Sequence, residues 1–161
     1  MIEVRSVVDR EVRLAAPLGR AWALLRDVPA WGALFPRVAS VAPLPDRGPD
    51  VFAWRMEPMG PPGGRVAVAY ACRYHADPEA HRLAWTPVAG VGNAAFAGAC
   101  RLWADGDATA GTLRLDSTLQ IPAPRFARPL VQATLPPEMG RMTDTFLRRL
   151  DAALGAADGP A

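Results

Sequence analysis

From Arg37 to Ile121 the chain alternates apolar and polar residues with period two, in six segments cut by turn sequences. No other feature restricts the possible folds as tightly, because period two belongs to strands with one dry face. "RVASVAPL" and "DVFAWRME" flank the turn "PDRGP". "GGRVAVAYACRYH" puts Val66, Val68, Tyr70, Cys72 and Tyr74 on one face and Ala67, Ala69, Ala71, Arg73 and His75 on the other. "HRLAWTPV" follows the turn "ADPEA". "AAFAGACRLWADG" aligns Phe96, Gly98, Cys100 and Leu102, and "TLRLDSTLQI" aligns Leu113, Leu115, Ser117, Leu119 and Ile121. A further strand stands at the front, where Val4, Val8, Val12 and Leu14 alternate with Glu3, Arg5, Asp9, Glu11 and Arg13. Short turns between successive strands predict a seven-stranded antiparallel sheet joined by hairpins.

Helical period appears in two places. Pro17 suits a first helical turn, where its missing N–H has no partner to lose. Leu18, Ala21, Trp22 and Leu25 then follow on one helical face. Asp27 can cap a second short helix carrying Trp31, Leu34 and Phe35, with Pro29 in its first turn and Pro36 as its stop. Near the other end, Met139, Met142, Phe146, Leu150 and Ala153 form a stripe. The pair Pro136-Pro137 predicts a break, with a shorter helical piece before it and the main helix over 137–154. Only this last helix is long enough to cover the sheet. An antiparallel sheet of seven strands twists and curves around whatever packs on it, which leaves space between sheet and helix.

Ala16, Pro17, Ala21, Trp22, Leu24, Leu25, Asp27, Trp31, Phe35, Pro36 and Val38, following a strand, resemble the opening of the START/Bet v 1-like (SRPBCC) superfamily. The likeness is greatest to its polyketide cyclase/dehydrase and coenzyme Q-binding START-domain branch. The order of elements agrees through Leu154. The resemblance implies an α+β helix-grip fold, a curved sheet with two short helices after its first strand wrapped around a long C-terminal helix. It also implies a hydrophobic cavity between sheet and helix, of the kind that holds lipids, quinones, sterols or polyketides. Trp22 and Leu25 would be packing residues, and Trp31 and Phe35 would close one end. The Pro136-Pro137 pair and the long turn "EPMGPPGGR" depart from the family pattern and would sit near the cavity mouth. The expected organisation is one domain over 1–154 and a flexible tail over 155–161.

The inner face should then carry Trp54, Met56, Tyr70, Cys72, Tyr74, Trp85, Phe96, Cys100, Leu115, Ser117 and Leu119, facing Met139, Met142 and Phe146 from the helix. Methionines and aromatics at such spacing also make ordinary filled cores. The polar atoms among them argue for a ligand, since buried tyrosine and serine hydroxyls need partners that leucine would not. Tyr70, Tyr74 and Ser117 are the orienting candidates. No Ser-His-Asp, Cys-His or paired-carboxylate set can be assembled, so no catalytic residue is assigned.

Other features have plainer readings. Arg10 falls on the apolar face of the first strand. If it points inward it needs a carboxylate or a ligand anion; the expectation is a bulge near "SVVDR" that returns it to solvent. His75, Asp77, Glu79 and His81 are metal-ligand types, but on a hairpin tip they are expected to be solvated, and no metal is assigned. "GVGNAA" matches a dinucleotide fingerprint without the strand and crossover helix that it requires, and reads as a loop. Cys72 and Cys100 share a face, but on strands separated by a third they are beyond disulfide reach.

Composition narrows the function. All 18 basic residues are arginine, spread along the chain without a basic block, and net charge is only +2. That disfavours a nucleic-acid surface. No apolar run has the length of a signal peptide or membrane span, so a cytoplasmic location without stable membrane insertion is expected. The expected function is binding of a hydrophobic small molecule with no cofactor. The alternatives are a polyketide cyclase/dehydratase using the same cavity and a protein-interaction module without a ligand.

Overall fold

Thirteen residues of β1 (Ile2–Leu14) pair with β7 (Ala108–Ile121), from Ile2 opposite Ile121 to Leu14 opposite Thr109, without a break in register. The computed structural model describes residues 1–60 and 64–157. Between the paired strands the chain runs through α1 (Leu18–Leu25), α2 (Val28–Gly32), β2 (Val38–Pro43), β3 (Val51–Met56), β4 (Ala69–Asp77), β5 (Arg82–Pro87) and β6 (Ala94–Asp105). A 3-10 turn at Arg125–Ala127 then leads into α3 (Arg128–Ala157). The sheet is antiparallel in the order β1-β7-β6-β5-β4-β3-β2, so β2 to β7 form a meander and β1 adds to its last strand. This is the expected α+β helix-grip architecture. The sheet is long, curved and dry on the side that faces α3.

Local chemistry explains the short elements. The Asp27 carboxylate accepts the Ala30 N–H at 3.2 Å and caps α2, with Pro29 in the first turn. α2 ends at Gly32, before Leu34 and Phe35. A Cβ at Gly32 would meet the rings of Trp54 and the side chain of Val41 at 2.9 Å, so glycine is what lets α2 lie against the sheet.

Three expectations are corrected. β1 carries no bulge: its burial alternates through Val8 and Val12, and Arg10 stays on the inner side. There Arg10 Nε donates to Asp144 of α3 at 2.7 Å, so a carboxylate of this chain supplies the required partner. Both side chains are more than a third exposed, 36% and 44%, so the ion pair contributes roughly 0.5–1 kcal/mol and acts chiefly to place the helix. Asp151 accepts the Ala15 N–H at 2.9 Å and makes a second tie between α3 and the end of β1. In the second correction, β4 starts at Ala69, and Val66 reaches its neighbour only through an isolated bridge to Met59. Pro58 interrupts the opposite chain and cannot donate to a ladder.

The third correction concerns Pro136 and Pro137, which lie inside one continuous helix. The carbonyls they leave without a donor, on Gln132 and Ala133, belong to exposed residues that water can reach. α3 also runs three residues past Leu154, and the remaining expected tail, 158–161, lies outside the described residues, as do residues 61–63 of the long turn.

Gly98 of β6 faces Trp85 of β5 across the ladder. A Cβ there would lie 2.3 Å from the Arg114 carbonyl oxygen and 2.6 Å from the Trp85 ring. Gly98→Ala is expected to lower stability by about 2–4 kcal/mol in urea unfolding, since backbone and ring must both shift. An unchanged midpoint would show that Trp85 has room to move.

Candidate functional site

The alternation of β3 to β6 places a row of aromatic rings on the inner face, and α2 adds Trp31 from above. Trp31 is central: its ring lies 5.3 Å from Trp54, 6.0 Å from Tyr74, 6.2 Å from Trp85 and 5.8 Å from Phe146 of α3, centroid to centroid. Tyr70 stacks on Phe96 at 4.1 Å and lies parallel to Trp54 at 5.8 Å. Phe35 packs on Phe146 at 5.3 Å. Each such pair adds about 0.5–1.5 kcal/mol beyond its buried area.

This aromatic seam is what the sheet and α3 enclose. Of the residues expected there, Trp54, Met56, Tyr70, Cys72, Tyr74, Trp85, Phe96, Cys100, Leu115, Leu119, Met139, Met142 and Phe146 do line the space. Ser117 does not. It is buried, and its hydroxyl donates to the Ser6 carbonyl at 3.4 Å, a β1–β7 contact. Trp31, Phe35, Met59, Val68 and Leu113 complete the lining with Leu25, Leu147 and Leu150. Trp31 therefore fills the middle of the seam rather than one end. The capped five-residue helix was readable in the sequence, but not how far its indole reaches.

The enclosed space is about 50 Å³. Small-molecule pockets are commonly about 300–1,000 Å³, so the expected open cavity is not preformed. Next to it, an apolar groove of about 320 Å³ runs between Met59, Gly60, Gly64, Val66 and Val68 on one side and the first half of α3 on the other. The groove shares Met59, Val68 and Leu119 with the seam, and its other wall includes Ala127, Val131 and Leu135. Gly60 and Gly64 of the long turn line this groove on one side, and Leu135, just before Pro136, lines it on the other.

Polar chemistry in the seam is sparse and neutral. The indole N–H of Trp31 is buried with no acceptor, and that of Trp54 is buried beside the Tyr74 hydroxyl but without good hydrogen-bond geometry. An unmet buried donor costs about 1–3 kcal/mol, which an ordinary core avoids. Burial, and then the neighbouring Cys72, hold the Tyr70 phenol well above its usual range. Burial acts likewise on Tyr74, with Cys72 and Tyr70 adding to it and the Trp54 indole opposing. The Cys72 and Cys100 thiols are both pushed up to about 12 by burial. Cys72 donates to the Phe96 carbonyl at 3.3 Å. β5 separates the two cysteines, and both are free. No carboxylate, histidine or arginine is among the described lining residues.

The remaining candidates have structural roles. Asp77 accepts the N–H groups of Glu79 and Ala80 and builds the hairpin turn, while His81 packs edge-on against Trp22 at 5.6 Å. Among the described residues no three metal-ligating side chains come together. In the "GVGNAA" loop Asn93 accepts from the Ala69 N–H and donates to the Ala67 carbonyl, which fastens the chain leading into β4. No described helix is long and apolar enough to cross a membrane.

Comparison with known structures gives the same fold. The aromatase/cyclase Zhui from Streptomyces sp. R1128 superposes with a TM-score of 0.76 at 19% identity, over 98% of this chain and 99% of that one. A protein of Thermus thermophilus superposes with 0.71 at 20% identity, over 95% and 98%. A START superfamily protein from Mycobacterium smegmatis does so with 0.67 at 15% identity, over 94% and 98%. At such identities the likeness is one of fold. No curated protein matches the chain. The sequence profile of the family described as polyketide cyclase/dehydrase and lipid transport matches residues 5–155, and the chain belongs to that family.

Burial raises both thiols from the ordinary value near 9 to about 12 in the folded protein. The unfolded chain loses these protons first, so their stabilising effect is complete below pH 9 and declines as pH rises towards 12. Neither thiol is expected to react with a disulfide reagent at pH 8 until denaturant is added. Rapid labelling of the native protein would contradict the burial described.

Proposed function

We propose that this member of the polyketide cyclase/dehydrase and lipid transport family binds a neutral, largely apolar small molecule, a lipid, quinone or polyketide-like compound, between the sheet and α3. The observation that carries the reading is the Trp31 indole donor, buried without an acceptor, with the poorly satisfied Trp54 donor beside it, in a seam lined by side chains without charge. A ligand carbonyl or ether oxygen would satisfy them. A charged ligand would find no counter-charge there and would lose its hydration.

The seam must open to admit such a molecule, and its lining is suited to that. Met56, Met59, Met139 and Met142, four of the five methionines in the chain, line it. Methionine has three rotatable bonds and repacks with little strain. Displacing methionine side chains towards the groove would join the two spaces.

A second reading, cyclisation of a polyketone, uses the same residues. The Tyr70 and Tyr74 phenols stay protonated far above neutral pH and could donate to an enolate oxygen. The described lining offers no carboxylate or imidazole to remove a carbon-bound proton, which favours binding over catalysis.

Native mass spectrometry of freshly purified protein, followed by solvent extraction, tests the reading. A one-to-one adduct of a neutral molecule is expected. A clean apo mass that persists after incubation with quinones, aromatic polyketides and lipids would identify the seam as a filled core. Trp31→Phe should weaken binding of the recovered ligand about tenfold by removing one donor. Ser117→Ala should leave affinity unchanged and lower stability by about 1 kcal/mol, because its hydroxyl serves β1 and not the seam.

A further inference from the structure

We infer that the Arg125–Ala127 turn and the first turns of α3 form a reversible docking surface for an anionic lipid bilayer. This goes beyond ligand binding and does not depend on the seam opening. Phe126 is 86% exposed, the most of any large apolar side chain among the described residues, and Leu130, four positions later, is 65% exposed. Isolated exposed apolar residues are ordinary, but here they stand together on a short turn and helix start. Leu130 stands at the rim of the apolar groove, whose wall continues with Ala127 and Val131, so the exposed pair and the groove share one face.

The charge around this apolar pair has one sign. Between Gln120 and Glu138 the chain carries Arg125 and Arg128 and no carboxylate. Both arginines are exposed, and neither belongs to the ion pairs found among the described residues, which engage Arg5, Arg10, Arg37, Arg114 and Arg141. Apolar side chains flanked by unpaired arginines match the acyl-headgroup boundary of an anionic membrane, where apolar contact and charge act together. A protein partner would have to supply a fitted pocket for the Phe126 ring, whereas the bilayer interface accepts it without one. The described helices do not span membranes, so attachment is to the surface. In that position the groove, which adjoins the seam at Met59, Val68 and Leu119, would lie beside the lipid, where an apolar cargo can be exchanged without crossing water.

Sedimentation of the full chain with extruded vesicles tests this. Binding is expected to phosphatidylcholine vesicles containing about 30% phosphatidylserine and to be weak on phosphatidylcholine alone. It should fall as salt rises from about 0.05 to 0.5 M, since the charge attraction is screened. Replacing Arg125 and Arg128 singly by Gln should each lower the partition coefficient about fivefold, and the double variant Phe126→Ser, Leu130→Ser should abolish binding. These four side chains are exposed, so melting temperatures should match wild type, and a ligand found by native mass spectrometry should still bind the variants. No sedimentation with the anionic vesicles, or equal sedimentation of wild type and the double variant, would overturn the proposal. In the first case this face would be left to an acidic protein. Neither outcome bears on whether the seam binds a ligand.

Discussion

Seven strands linked by short turns present one long apolar face, and the chain has a single helix with which to cover it. A twisted sheet curves away from a straight rod, so sheet and helix cannot meet along their whole length. The remaining volume has to be filled from above or below. Here the sheet contributes its largest side chains along β3 to β6, α3 contributes methionines and Phe146, and α2 inserts Trp31 between them. The Arg10–Asp144 pair and the Asp151 contact to Ala15 hold α3 against β1. Towards the far edge of the sheet the polar ties are longer, Arg37 to Glu138 at 3.8 Å and Arg149 to the Leu34 carbonyl at 3.4 Å, and the rest of the packing is apolar and deformable.

That asymmetry gives the molecule its functional character. The helix is held most tightly at the β1 edge, while its first half borders a groove beside the end of β7, Met59–Gly60 and the described residues from Gly64 to Val68. The interior is closed but has not reached the polar satisfaction of an ordinary core. The Trp31 indole donor lacks an acceptor, the Trp54 donor has only the Tyr74 hydroxyl nearby, and the thiols and phenols there are held in their neutral forms. Such an interior discriminates by shape and by hydrogen-bond acceptors rather than by charge. It also offers little to a mechanism that needs an ionised base near neutral pH.

Much of this was legible in the sequence, and the gaps have physical reasons. Strict alternation identified the strands, the dry face and the sheet side chains that line the interior, because side-chain direction in a strand follows directly from position, and helical period did the same for Met139, Met142 and Phe146. Ser117 was placed on the correct face, but alternation says nothing about how deep a short side chain lies or which backbone carbonyl it finds. Arg10 looked anomalous because its partner, Asp144, is more than a hundred residues away, and pattern reading sees only local neighbours. Pro136 and Pro137 were read as a break because proline disrupts a helix on average. The exposure of the freed carbonyls, which makes the cost tolerable, is a tertiary fact. The volume of the interior was not legible at all, since it depends on the position of Trp31, whose helix contains only five residues. Family likeness suggested an open cavity, and here aromatic packing has closed it.

The central claim is that Trp31, with the poorly satisfied Trp54 beside it, holds its indole N–H ready for an acceptor carried by a ligand. The direct measurement is a proton–nitrogen spectrum of the five tryptophan indoles during titration with a panel of neutral probes, including 1,4-naphthoquinone and an aromatic polyketide. The account predicts that at least one probe moves the Trp31 and Trp54 resonances downfield together, as new hydrogen bonds form, while the outward-facing Trp103 stays in place. If all five resonances stay fixed across the panel, the seam is a filled core and the two donors are a tolerated defect of its packing.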